Sequence, residues 1–137
     1  MVIGFTGTSK TPYQKQSVLE LIQQLMPDLV RHGDCVGADT DFHEIACSLN
    51  IPTCIHPPDN DSKRSFCQSD CILPEKPYLN RNKDIVDMSN LLIATPETTK
   101  EKIRCLVHGF QSVMQKEQVR KSSFAIRMNE LRYCFTF

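Results

Sequence analysis

The sequence lacks an excess of charge of either sign. Sixteen Lys and Arg balance sixteen Asp and Glu, for a formal net charge of zero. That excludes an extended electrostatic surface for nucleic acid and leaves room only for a local basic patch. The sequence also lacks any apolar run near the ~20 residues of a membrane helix. In MVIGFTGTSK a short apolar strand precedes any charge, so the start does not read as a secretory leader. A cytoplasmic chain with no membrane partner is expected. A regular cysteine pattern is missing too. Cys35, Cys47, Cys54, Cys67, Cys71, Cys105 and Cys134 are odd in number and irregular in spacing. A disulfide framework is therefore not expected, and the thiols read as reduced and mostly buried. His56, Cys67 and Cys71 are metal-binding residue types, but CxxxC fits no common zinc knuckle, so no metal and no cofactor is expected. There is no Ser/His/Asp arrangement and no glutamate pair that would force a hydrolase reading. No internal repeat and no linker divides the 137 residues, a length suited to one domain.

What is present is an alternation of strand and helix signals. VIGFTG, Val2 to Gly7, reads as a short buried strand ending in glycine. Thr11, Pro12 and Gln14 then form a capping-box signature. Val18, Leu19, Ile22, Leu25 and Met26 follow at helical spacing, up to Pro27. Leu29 to Arg31 is a second strand. Asp41 and Glu44 can cap a second helix that runs through Leu49. Pro52 to Pro58 holds a third strand stopped by prolines, and Asp59 to Pro77 is polar and irregular. Tyr78 to Met88 reads as a helix with Leu79, Ile85 and Val86 inward. LLIATP, Leu91 to Pro96, is the strongest strand signal. This order predicts an α/β fold with a parallel sheet, Val2–Thr6 and Leu91–Thr95 at its centre. Right-handed crossovers place the loops after the strands along one edge, where ligands of open α/β sheets bind.

Those loops carry the candidate residues. Gly7, Thr8 and Ser9 follow the first strand; Gly33, Gly37, Ala38 and Asp39 lie between the second strand and its helix. Glycine loops at helix starts present free N–H groups and the positive end of the helix dipole to anions. Tight turns use glycine as well, so each loop alone is open to either reading. Asp39 suits ligand donors such as ribose hydroxyls, or a helix N-cap. Arg81 and Asn82 sit near a helix start, where a guanidinium can grip phosphate in a bidentate manner or remain an exposed cation. His32 and His56 titrate in the neutral range unless strand-end hydrogen bonds hold them. Thr95 and Pro96 close the set.

Taken together, GFTGTS, HGDCVGADTDFHEIA, IHPP and YLNRNKDIVDMSNLLIATP resemble the SLOG superfamily of Rossmann-like proteins, in its YspA/YpsA-related branch. Relatives of that superfamily include the cytokinin-activating LOG enzymes and the DNA-processing protein DprA. The resemblance spans Val2 to about Arg104. It implies a Rossmann-like open parallel sheet flanked by helices, with a nucleotide-derived ligand at the glycine loops and a possible homodimer. Arg81 and Asn82 stand where LOG relatives carry an Arg-Lys pair, which makes Arg81 the catalytic candidate if there is catalysis. The family loop usually has a small residue in place of Asp34, whose carboxylate is expected to repel phosphate.

After Arg104 the resemblance stops. The family continues with Arg-Ser-Gly-Thr-Trp, a helix and a final apolar strand, whereas this chain reads CLVHGFQSVMQKEQVRKSSFAIRMNE. Back-translation of Cys105 to Glu130, read from the third base of the cysteine codon, allows SGTWLSVRYAKRTGQKVIIRYPNE and then a stop. Together with Arg104 that restores the family loop, its helix and its strand, in order. Residues 105–137 therefore read as out-of-frame sequence, a non-family tail. It is expected to be helical from about Thr98 to Gln118 and irregular beyond, with the last strand missing or replaced. Three functions follow: a module binding a nucleotide-derived ligand, impaired in this chain; a LOG-like hydrolase of nucleoside 5'-monophosphates; or a non-functional gene remnant.

Overall fold

The computed structural model describes residues 1–7, 15–95, 123–128 and 131–136, the last two stretches by their backbone. Five strands form an all-parallel core: β1 (Val2–Gly7), β2 (Leu29–His32), β3 (Thr53–Ile55), β4 (Cys71–Ile72) and β5 (Leu91–Thr95). Helices α1 (Lys15–Leu25), α2 (Ala38–Ser48) and α3 (Tyr78–Asp87) flank them. The strand order is β4-β3-β2-β1-β5, continued by two strands from the chain's end. The Rossmann-like expectation holds, and β1 and β5 are indeed neighbours at its centre, paired in parallel from Ile3↔Leu91 to Gly7↔Thr95. From β1 the chain builds outward on one side through β4, then returns to the other flank with β5. The order thus reverses between β1 and β5, the place where ligands of doubly wound sheets bind.

The two faces are covered differently. Ile3, Phe5, Val30, Leu91 and Ile93 form one core with Val18 and Ile22 of α1 and with Phe42, Ile45 and Ala46 of α2. Phe5 and Phe42 stack with ring centroids 4.2 Å apart. On the other face Ile85 of α3 and Ser89, just past its end, pack against Gly4 of β1. Every residue of β5 is buried, as a strand covered on both faces requires.

Several boundaries differ from expectation, each for a local reason. Helix α2 begins at Ala38, ahead of the Asp41 and Glu44 caps, because Gly37 takes φ 106° and ψ −126° and starts the helix earlier. Leu79 was expected inward but is 69 % exposed, since it lies in the first turn of α3, beyond the sheet. Strand β4 lies in the stretch read as irregular; two residues carry no periodicity to detect. It matters because Cys54 and Cys71 are register partners there and form a disulfide, their Cα atoms 4.6 Å apart. The expectation of reduced thiols fails at this pair, whereas Cys35, Cys47 and Cys67 are free. The Thr11 capping box and the helix expected from Thr98 to Gln118 lie outside the described residues.

The end of the chain is also corrected. It is not irregular: β6 (Ser123–Met128) and β7 (Leu131–Thr136) pair antiparallel, and β7 pairs parallel with β5. SFAIRM and LRYCFT are short β-prone runs, and β5 would otherwise present an open edge for them to fill. Among the described residues no helix is long and apolar enough to cross a membrane.

Phe42 is fully buried while Leu79 is not, and this difference can be measured. Phe42→Ala is expected to cost about 3–5 kcal/mol in denaturant unfolding. Leu79→Ala is expected to stay within about 0.5 kcal/mol of the parent.

Candidate functional site

The carboxyl ends of β1, β2 and β5 meet the start of α2, and α3 reaches the same edge from the opposite face. Two groups of residues gather there. In the first, Gly7 lies so close to Thr95 and Ala38 that a side-chain carbon on it would sit 2.4 Å from the Thr95 Oγ1 and 2.5 Å from the Ala38 Cβ. The second is centred on Arg81. Its guanidinium lies over Gly33, where an added Cβ would fall 1.3 Å from Nη1 and 2.3 Å from Cζ. No residue but glycine leaves that passage open. Ala38 and Asp39, adjacent in the first turn of α2, join the two groups.

Arg81 is 4 % exposed although it sits on a surface helix. Its Nη2 donates to the Cys35 Sγ at 2.9 Å, and its Nη1 stands 4.0 Å from the Asp39 Oδ2. The Tyr78 ring lies 5.1 Å from the guanidinium carbon, a cation–π distance. Asp39 Oδ2 accepts the Cys35 backbone N–H at 3.0 Å. Burial pushes the Asp39 carboxyl from 3.8 up to about 6, and the neighbouring Arg81 opposes part of that rise. Burial and the Asp39 charge push the Cys35 thiol up to about 11, so it remains protonated at neutral pH. Among the described residues three buried polar atoms here have no hydrogen-bond partner at full geometry, Asp39 Oδ1, Arg81 Nε and Thr95 Oγ1, although the Gly33 N–H lies near enough to the Asp39 carboxylate to oppose part of its pKa rise. Buried polar groups are almost always paired, and the exceptions concentrate at sites completed by a ligand or water. Asn82, next to Arg81, also has an unpaired buried Oδ1.

Asp34 behaves differently from expectation. It takes a left-handed backbone, φ 55°, and its carboxylate is fully buried. Oδ2 accepts from Arg64 Nε at 2.8 Å and Oδ1 from the Cys67 N–H at 2.9 Å. Arg64 neutralises the charge expected to repel an anion. Thirty residues separate the pair, and Arg64 lies in the stretch read as irregular.

His32, His43 and His56 each have hydrogen-bond partners within the fold. The His32 Nδ1 accepts the Asp34 N–H at 3.1 Å, so its proton is on Nε2, which donates to the His43 Nδ1 at 2.9 Å. His43 in turn donates to the Gln68 backbone carbonyl. Burial, then His43, pushes His32 down to about 3. His56 accepts from Arg31 Nη1 at 3.2 Å, and burial and Arg31 push it to about 4. Among the described residues no hydrogen bond joins His56 to Gly33, Asp39 or Arg81. Thr8, Ser9 and Pro96 lie outside the described residues. Cys35, Tyr78 and Arg64 are the contributors that sequence reading missed; only the proximity of Tyr78 to Arg81 in the helix could have signalled one of them.

Among the described residues no group of His, Cys, Asp and Glu could hold a metal ion. Scans against protein-family models, curated proteins and solved structures each return no match.

The carboxyl of Asp39 binds its proton more tightly in the folded chain than its value of 3.8 unfolded. Its stabilising contribution is present below about pH 4 and is lost as pH rises through about 6. Thermal melts of the parent and Asp39→Asn between pH 4 and 7 are expected to diverge across that window. The parent should lose on the order of 2 kcal/mol relative to the variant as pH rises.

Proposed function

We propose that this chain is a binding module for a nucleotide-derived ligand, of the SLOG type. The observation that carries the reading is the set of unpaired buried atoms, Arg81 Nε, Asp39 Oδ1 and Thr95 Oγ1, at the edge where the strand order reverses. A phosphate would take the guanidinium of Arg81, whose other contacts are a neutral thiol, an aromatic face and a carboxylate 4.0 Å away. A ribose hydroxyl would donate to Asp39 Oδ1 and accept from Thr95. The start of α2 adds free N–H groups and its dipole to the same position.

A second reading, cleavage of a nucleoside 5'-monophosphate at its N-glycosidic bond, is favoured by one observation. The Asp39 carboxyl titrates at about 6, within reach of neutral-pH proton transfer, beside a fixed cation. Release of free base and ribose 5-phosphate separates it from simple binding.

The test is titration calorimetry with nucleoside monophosphates and ADP-ribose. Arg81→Ala, and Gly33→Ala through displacement of the guanidinium, are each expected to weaken binding about tenfold to a hundredfold. A chain with the reading frame restored after Arg104 is expected to bind about two to four powers of ten more tightly, having regained a Gly-Thr loop with two or more hydrogen bonds to phosphate. Equal affinity in the two frames, or no loss in either variant, would remove the reading.

A further inference from the structure

Arg31 is the cation that the site above does not use. It is half-buried on β2, on the α3 face of the sheet, and its buried Nε has no partner among the described residues. Its Nη1 donates to His56 Nε2 at 3.2 Å and to the Cys54 Sγ at 3.4 Å. Among the described residues no carboxylate lies against it, and burial alone lowers its pKa. Such a group gains from any negative charge that forms beside it. The sulfur it touches belongs to the Cys54–Cys71 bridge.

The two sulfurs of that bridge are not equivalent. Cys54 is fully buried on β3, whereas Cys71 is half-buried on β4, the strand at the sheet's edge. An external thiolate therefore reaches Cys71 first. Attack there displaces Cys54 as the leaving group, and Cys54 is the sulfur that accepts from the Arg31 guanidinium, which has no carboxylate against it among the described residues. Leaving-group thiols of lower pKa depart faster, and a neighbouring arginine lowers thiol pKa.

We propose that Cys54–Cys71 is a redox-active disulfide for low-molecular-weight thiols, with Arg31 as the positioned cation that receives the Cys54 thiolate. In the forward direction the thiolate of a small thiol attacks the Cys71 Sγ. A mixed disulfide forms, the Cys54–Cys71 bond breaks, and its electron pair goes to Cys54. A second small thiolate attacks the small-molecule sulfur of the mixed disulfide. It leaves as the oxidised small disulfide, and Cys71 leaves as a thiolate that takes a proton from water. Net, the protein disulfide gains two electrons and one proton from two thiols, and the second proton goes to solvent while Cys54 stays a thiolate beside Arg31. Oxidation by a small disulfide runs the same steps in reverse. Arg31 touches the reacting sulfur throughout, while His56, neutral and accepting from Nη1, fixes the guanidinium.

The test uses the full chain, equilibrated with oxidised glutathione, alkylated and mapped by mass spectrometry. A bridged Cys54–Cys71 peptide is expected, and finding both as free thiols would overturn the proposal. Native-state reduction by glutathione is then timed at one pH. Arg31→Gln is expected to slow it about tenfold while Arg31→Lys stays close to the parent, and all three should reduce alike when denatured. Native rates equal in the parent and Arg31→Gln would overturn the role of the cation. If Arg31→Gln does not fold, Cys71→Ser leaves Cys54 alone against Arg31. Its alkylation rate against pH should then report a thiol below the ordinary value of about 8.5, and an ordinary or raised value would overturn the proposal.

Discussion

The guanidinium of Arg81 reaches from a helix on one face of the sheet to a turn that begins a helix on the other. It passes the edge over Gly33, where no side chain could stand, and ends between the Cys35 thiol and the Asp39 carboxylate. Much of the local arrangement answers to that passage. A buried cation needs a counter-charge, and Asp39 supplies one at the cost of a raised pKa. The second carboxylate of the same turn, Asp34, takes a left-handed backbone and has its own arginine, Arg64. The helix and the turn are in this way joined by charge at an edge where the hydrophobic cores of the two faces do not meet.

A glycine at 33 is visible in the sequence, and so is an arginine at 81; the contact between them is not. Local pattern was enough for β1 and β5 because both are apolar runs bounded by turn residues, and their central position follows from the alternation with helices. It was enough for the buried side of α3 at Ile85 and Val86, and misleading at Leu79, because helical spacing does not say where the sheet ends. Asp34 and Arg64 are thirty residues apart in a stretch without periodicity, and only the fold brings them together. The same holds for Cys54 and Cys71, whose separation of 17 residues looks irregular until two short strands lie side by side.

The two antiparallel strands at the chain's end follow from backbone chemistry. On the out-of-frame reading their residues were never selected to pack here. β-prone runs beside an open parallel edge nevertheless pair with it, since backbone hydrogen bonds do not depend on side-chain identity. A strand at the flank therefore needs only β-prone residues, whereas the contacts at the carboxyl edge need particular side chains.

The chain of hydrogen bonds through His32 and His43 has a single polarity. It starts at the Asp34 N–H and ends at the Gln68 carbonyl, with each ring accepting on Nδ1 and donating on its far nitrogen. Neither ring can be turned over without setting two donors, or two acceptors, face to face. The segment around Gln68, far from the sheet's centre in sequence, is thereby keyed to the turn after β2 by proton placement rather than by shape. Side chains that match the rings in size but not in this donor–acceptor order would fill the space and still leave that segment unmoored.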